Sequence, residues 1–267
     1  MSGTEATTEP NEGLDILDVA RPLTPRRATT RWAVSTQPGR RGTNQDAWRV
    51  VDDCLFLIAD GMGGLGAGDH AARAALDEVA GRPDAPEIND WRDALSAADA
   101  RVARVAMDSQ VGEAGTTIAG LVAYEGHAVI SHLGDSRIHR LRDGRLTTLT
   151  RDHSISGDLE IDLTTGERPA AWRLDALTAF VGAGPDRLRD TALAVSARPG
   201  DRFILTTDGV HAVLDAYELA VVAQTSSPDD AARALVQSAE AADSVDDRTA
   251  LVVDFDEVRP IEGRERP

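Results

Sequence analysis

From residue 29 onward, apolar and polar positions alternate in ways that separate strands from helices. TTRWAVST (29–36) alternates with a period of two and predicts a strand. WRVVDD followed by CLFLIAD predicts a hairpin turning near Asp52 and Asp53. GAGDHAARAALDEVAG is an alanine-rich helical stretch ending near Gly81. NDWRDALSAADARVARVAMDS opens on Asn and Asp and carries Val102, Val105 and Ala106 at helical spacing. Strand patterns return in TTIAGLVAYE, HAVISHLGD and RIHRLRDGRLTTLT, the last with an Arg-Asp-Gly-Arg hairpin turn. Residues 152 to about 190, with Gly157, Gly166, Pro169 and Gly184, break the pattern and read as an irregular insertion. DRFILTTDG is a strand, DAYELAVVAQ and PDDAARALVQSAEAAD are helices, and TALVVDFD is a final strand. Strands and helices come in groups rather than in strict alternation. The expected class is therefore α+β with sheets in layers, not a doubly wound parallel fold.

Composition adds boundaries to this picture. The 267 residues are long enough for a sizeable core. Residues 1–27 are polar and hold three prolines, so a flexible tail is expected there, with DILDV as a short docking segment in the alternative reading. Lys and Arg total 28 against 45 Asp and Glu, a net charge of −17. With no basic stripe, that charge disfavours nucleic acid and anionic lipid as partners. The single cysteine, Cys54, lies inside CLFLIA and reads as a buried thiol rather than a nucleophile; the position six residues later, where a cysteine-based phosphatase needs arginine, is Asp60. No apolar run approaches a membrane span and no signal pattern opens the chain, so a cytoplasmic protein is expected, and a monomer is the expected assembly.

Several apolar runs meet an aspartate. LIA runs into Asp60 and Gly61, ISHLG into Asp135, and FILTT into Asp208 and Gly209. Asp46 just precedes a strand, and Asp246 and Asp247 stand before TALVV. Carboxylates drawn from separate segments to one sheet edge suit hard divalent cations, which take oxygen ligands. Asp-Gly is also a common turn, and Asp143–Gly144 fits that blander reading. For Asp60 and Asp208 the strongly apolar approach argues against a simple turn.

Taken in order, RGTNQDAW, LIADGMGG, GTTIAG, LGDSRIHRLRDG, TRDHS, LTTDGV and DDRT resemble the metal-dependent protein phosphatases of type 2C, in their bacterial branch. Each motif alone is weak, whereas seven in order are specific. The resemblance implies a four-layer αββα sandwich of two antiparallel sheets flanked by helix pairs. It places the catalytic domain at 28–258, with a flap at about 154–184 and a tail at 259–267. It implies two Mn²⁺ or Mg²⁺ ions held by Asp46, Asp60, the Gly61 carbonyl, Asp208 and Asp246, with Asp60 bridging. Asp135 matches a residue linked to a third, weaker metal site, and Arg41 matches the arginine that grips the substrate phosphate. Gln45 and Asp247 fall in the outer shell. Asp46, Asp60, Asp208 and Arg41 would then carry catalysis. A hydroxide bridging the metal pair would attack phosphorus in line, releasing serine or threonine from phosphorylated protein substrates, opposite a cognate Ser/Thr kinase.

Three departures stand out. Gln45 replaces a common Glu and removes a charge near the metal-bound waters. Met62 replaces the histidine that acts as general acid in eukaryotic relatives, so the leaving-group proton must come from water. Asp247 replaces a usual Asn. His70, His153 and His211 read as surface or packing residues, and Thr116 and Thr117 as packing and hydrogen-bonding residues. Ser154 or Ser156 as a metal contact is a guess carried by position alone, and Ala179-Phe180 departs from the flap's usual Arg-Ala. The alternative function is a relative that has lost turnover and serves as a phosphoprotein-binding module.

Overall fold

The computed structural model describes residues 15–17, 26–64, 67–82, 89–109, 114–159, 175–189 and 191–257. Eleven strands among these form two antiparallel sheets. One has the order β1 (Thr29–Gln37), β11 (Arg248–Asp256), β10 (Arg202–Thr206), β7 (Arg137–Arg142), β8 (Arg145–Thr148). The other runs β2 (Asp46–Val51), β3 (Leu55–Gly63), β5 (Ile118–Tyr124), β6 (His127–Leu133), β9 (Leu193–Ser196), with β4 (Ala114–Thr116) pairing β3 off this path. Helices α1 (Ala67–Ala80) and α2 (Trp91–Ser109) cover the second sheet. Helices α5 (Ala216–Ala223) and α6 (Pro228–Ala241) cover the first. The four-layer αββα sandwich expected from the motifs is the observed fold.

Strand alternation explains the layering. In β3, Phe56 and Ile58 point between the sheets and meet Phe203, Leu205, Leu251 and Val253. Their neighbours Leu55, Leu57 and Ala59 point the other way, onto α1 and α2. Both faces of a central strand are thus buried, which is why CLFLIA reads as a continuous apolar run. Phe56 and Phe203 are fully buried; truncating either to Ala removes about 3–5 kcal/mol.

The two hairpin turns fall where the sequence predicts them, and helix caps help to close the layers. Asp52 and Asp53 both have φ 51° in the β2–β3 turn, and Asp143 (φ 51°) with Gly144 (φ 78°) turns β7 into β8. Asp215 and Glu218 form a capping box on α5, and Ser227 caps α6 ahead of Pro228.

Three features differ from the sequence reading. LIADGMGG does not break at its glycines. Residues 55–58 pair with β5, and Gly61–Gly63 continue the strand on β4, so Asp60 sits where β3 changes partners. Two short elements, β9 and α4 (Asp208–His211), are too brief to show a period. Within the expected N-terminal tail, Ile16 bridges Val195 and Leu17 donates to the Ala194 carbonyl (2.9 Å), extending the sheet beyond β9. Residues 1–14 and 18–25 of that tail, the C-terminal tail and flap residues 160–174 lie outside the described residues. The insertion's feet are described: Ile155 donates to the Ala176 carbonyl (3.0 Å), and Asp158 pairs with Arg189 (2.8 Å) and accepts from Thr178 (2.7 Å).

Candidate active site

Asp46 and Asp60 are register partners across the β2–β3 ladder, so their side chains leave the sheet on one face. The partner switch that places Asp60 is held by the GTT segment. The Asp60 N–H donates to Thr117 Oγ1 (2.9 Å), while its carbonyl accepts from the Thr117 N–H (2.9 Å) and Thr116 Oγ1 (2.9 Å). With its backbone fixed at three points, the carboxylate has a defined position. Gly61 is required next to it. A Cβ there would lie 2.1 Å from the Gly68 carbonyl oxygen at the start of α1 and 2.7 Å from that of Gln45.

Asp46 is buried, and its two oxygens have different fates. Oδ2 accepts from Thr207 Oγ1 (2.9 Å) and Thr249 Oγ1 (2.6 Å). Behind them, Thr249 bonds Thr36 (2.8 Å), which accepts from Asn44 Nδ2 (2.8 Å), while Asn44 Oδ1 accepts from the Asp46 N–H (3.0 Å). Oδ1 is buried with no donor among the described residues, and so are Asp208 Oδ1 and Gln45 Oε1.

Asp208 opens α4 directly after β10. Gly209 allows this turn to press on the 244–247 loop, where a Cβ would lie 1.9 Å from the Asp247 carbonyl oxygen. Asp246 is half-buried and ion-paired with the exposed Arg41, and it also accepts from the Asp247 N–H (2.9 Å). The Asp247 carboxylate spends one oxygen on the Gly39 N–H (2.7 Å) and the other on the Gln45 N–H (2.8 Å). It therefore pins the loops carrying Arg41 and Asp46. Gln45 donates through Nε2 to the Gly63 carbonyl (3.3 Å). Asp135 follows Gly134 (φ 106°), whose N–H donates to His153 Nδ1 (3.2 Å), and Ser136 ties the same turn to Thr117 (2.6 Å).

The carboxylates strain against one another. Burial, opposed by the two threonine hydroxyls and reinforced by Asp208, raises Asp46 to about 7. Burial, then the charges of Asp46, Asp208 and Asp135, pushes Asp60 well above the usual carboxylate range, and its carboxyl is hydrogen-bonded to that of Asp208. Burial and Asp246 raise Asp208; burial and Asp208 raise Asp135 to about 7. Among the described residues, no trio of carboxylate, histidine or cysteine side chains is drawn close enough to cage an ion without rearrangement. Arg41 offsets part of this charge through its ion pair with Asp246. The donor set nevertheless fits a hard divalent cation. It offers oxygen ligands only, two buried aspartate oxygens lack donors, and the excess negative charge is what a cation offsets.

The chain matches the model of the Protein phosphatase 2C family over residues 39–251. The chain belongs to the protein phosphatase 2C family. It is 27% identical over 197 residues to a putative 2C-type phosphatase of Streptococcus pyogenes, covering 68% of this chain and 79% of that relative. It is 29% identical over 210 residues to the serine/threonine protein phosphatase PstP of Mycobacterium tuberculosis, covering 73% of this chain and 40% of that protein. Among solved structures it resembles PppA of Pseudomonas aeruginosa with a TM-score of 0.75 and 31% identity, over 86% of this chain and 99% of that one. The PstP catalytic domain in complex with two manganese ions gives a TM-score of 0.73 and 25% identity, over 85% and 99%. This family member is thus a protein serine/threonine phosphatase of bacterial type.

The motif-derived positions come together: Arg41, Asp46, Asp60, Asp208 and Asp246 meet at one end of the sandwich, and Asp135 is close enough to feel Asp208. Other positions have different work. Ser154 caps the short α3 (Ile155–Asp158) and bonds Ser156 (3.0 Å). His211 is buried on Thr206 (2.9 Å) and His70 is exposed on α1. The sequence reading missed Thr207, Thr249, Thr36 and Asn44 as the brace of Asp46. The signal was present as a hydroxyl beside each terminal aspartate, in TTDG and DDRT.

Proposed function

We propose that this chain hydrolyses phosphoserine and phosphothreonine in proteins with the help of two divalent cations, and acts opposite a Ser/Thr kinase. Asp46, Asp60, Asp208, Asp246 and the Gly61 carbonyl would hold Mn²⁺ or Mg²⁺, and Asp135 would serve a third ion. When bound, such ions acidify water for attack on phosphorus and offset charge on the phosphoryl oxygens. The observation that carries this reading is the pair of donorless buried oxygens on Asp46 and Asp208, in a group of carboxylates that raise one another's pKa.

The chain's own residues supply position and charge. Asp60, the register partner of Asp46 and hydrogen-bonded to Asp208, is the central carboxylate. Arg41, exposed and paired with Asp246, carries a planar guanidinium fork that matches two phosphoryl oxygens. A cation held by Asp246 would compete with Arg41 for that carboxylate and leave the guanidinium free for the phosphoryl oxygens. Met62 offers no proton, so the leaving oxygen takes its proton from water.

The test is phosphate release from a phosphothreonine peptide with Mn²⁺, Mg²⁺ or EDTA, for the wild type and Asp208→Asn. Metal-dependent release, abolished by chelation and lowered by orders of magnitude in the variant, is expected. Metal-loaded wild type that binds several phosphopeptides without turning them over would overturn this reading in favour of a binding module.

A further inference from the structure

At one side of the sandwich the two sheets end with their outermost strands stacked. Trp32 of β1 and Trp48 of β2 lie there with ring centroids 6.2 Å apart. Among the described residues β2 pairs with β3 on one side and with no strand on the other. Beside it runs a groove of about 330 Å³ whose lining includes Asn44, Asp46, Trp48, Arg49, Arg73 and Leu76. One of those lining residues, Asp46, belongs to the carboxylate centre. Trp48 is 38% exposed. Arg49 and Arg73 reach solvent, each with one carboxylate partner on α1, Asp77 and Asp69.

The groove has the features of a peptide slot rather than a small-molecule cavity. An open edge strand presents a row of backbone donors and acceptors that an extended chain can pair with. A strand laid along the six residues of β2 would span about 20 Å. An exposed indole is a broad apolar contact. Guanidiniums that each spend a contact on one helix carboxylate retain N–H groups for a second. On a chain of net charge −17, the two arginines bordering the slot are already offset by Asp77 and Asp69, and what they offer acidic side chains is their remaining N–H donors.

We propose that this groove receives the extended stretch of a phosphoprotein next to its phosphorylated serine or threonine. The stretch lies beside β2 as an added strand, with an apolar side chain on Trp48 and carboxylates on Arg49 and Arg73. This rests on the phosphatase reading above and deepens it by naming the substrate class: extended segments with apolar and acidic residues flanking the phosphosite.

The experiment compares a phosphothreonine peptide flanked by Leu and Glu residues with p-nitrophenyl phosphate, which is too small to fill the slot. Trp48→Ala and the Arg49→Glu/Arg73→Glu double variant are expected to lower the ratio of peptide to p-nitrophenyl phosphate kcat/KM about tenfold, through peptide KM. A peptide with Lys in place of Glu is expected to recover most of the loss in the double variant. Fluorescence polarisation of the unphosphorylated Leu/Glu peptide gives a second readout, with binding weakened by Trp48→Ala and retained by Trp48→Phe. An unchanged ratio, or equal losses on both substrates with no rescue by the Lys peptide, overturns the groove while leaving the phosphatase reading intact. Absent turnover with polarisation that still depends on Trp48 overturns catalysis and keeps the groove.

Discussion

Asp46 and Asp60 face each other as register partners in a two-strand ladder, and their neighbours divide the labour of holding them. Asp60 is fixed through its backbone by Thr116 and Thr117. Asp46 is fixed through one carboxylate oxygen by Thr207 and Thr249, which leaves the other without a donor. One Asp46 oxygen is thus braced by hydroxyls while its twin is buried without a donor among the described residues.

Thr249→Val removes one of the two hydroxyls that favour ionised Asp46. The Asp46 pKa then rises further above about 7, so cation binding requires a higher pH. Mn²⁺ affinity at pH 7 is expected to fall roughly tenfold, in line with one lost charged hydrogen bond of about 1.5 kcal/mol. Titration calorimetry across pH checks both effects. Thr249→Ser should restore affinity, and an equal loss in Ser and Val would rule out the hydroxyl as the cause.

Gln45→Glu has opposed consequences. It replaces the Nε2 donor to the Gly63 carbonyl with an acceptor and adds charge beside carboxylates that already repel. The metal-free variant should melt several degrees lower, and its rise in Tm on adding Mn²⁺ should exceed the wild type's. Differential scanning calorimetry with and without EDTA measures this. An Mn²⁺-induced rise no larger than in the wild type removes the electrostatic account of Gln45.

His139 and His211, both buried on Thr206, are kept neutral: burial, then Arg137, lowers His139 to about 3, and burial with Arg137 and His139 takes His211 well below its usual value. The unfolded chain takes up these protons below about pH 6.5 and the native state does not. Their contribution is therefore present above pH 6.5 and lost as pH falls toward 3. Asp46 works in the opposite sense, its contribution being present below about pH 4 and lost as pH rises through 7. The stability difference between wild type and His139→Asn isolates the histidine. It should shrink by about 2 kcal/mol between pH 7 and pH 5 in urea unfolding. A difference independent of pH would show that His139 is not held neutral.

Asp99, buried in α2, accepts from the N–H groups of Gly182 (2.7 Å) and Gly184 (3.1 Å) and so anchors the distal foot of the insertion. Asp99→Ala leaves two backbone donors without their acceptor and should cost about 2–3 kcal/mol. Asp99→Asn keeps a carbonyl acceptor and should cost under about 1 kcal/mol. Chemical denaturation of both variants tests the difference, and equal losses would attribute the effect to packing.

The layered α+β class and most element positions were legible in the residue order. The motifs pointed to Asp46, Asp60, Asp208 and Asp246 with Arg41, which the fold brings to one end of the sandwich. Alternation, caps and turn residues act over a few positions, and the motifs stand in contiguous words. Which partner each oxygen takes depends on the folded layers. Asp247 looked like added charge near the metals, and the fold spends both of its oxygens on backbone amides of two loops distant in sequence. LIADGMGG looked like a strand broken by glycine. It is a strand that changes partners at Asp60, because pairing depends on which segment, β5 or β4, the fold brings alongside. Thr207 and Thr249 reach Asp46 from two separate segments, with Thr36 behind Thr249, and TTDG and DDRT show the hydroxyls but not their convergence. Hydrogen-bond partners in a folded core are set by packing across layers, which the order of residues along one strand does not contain.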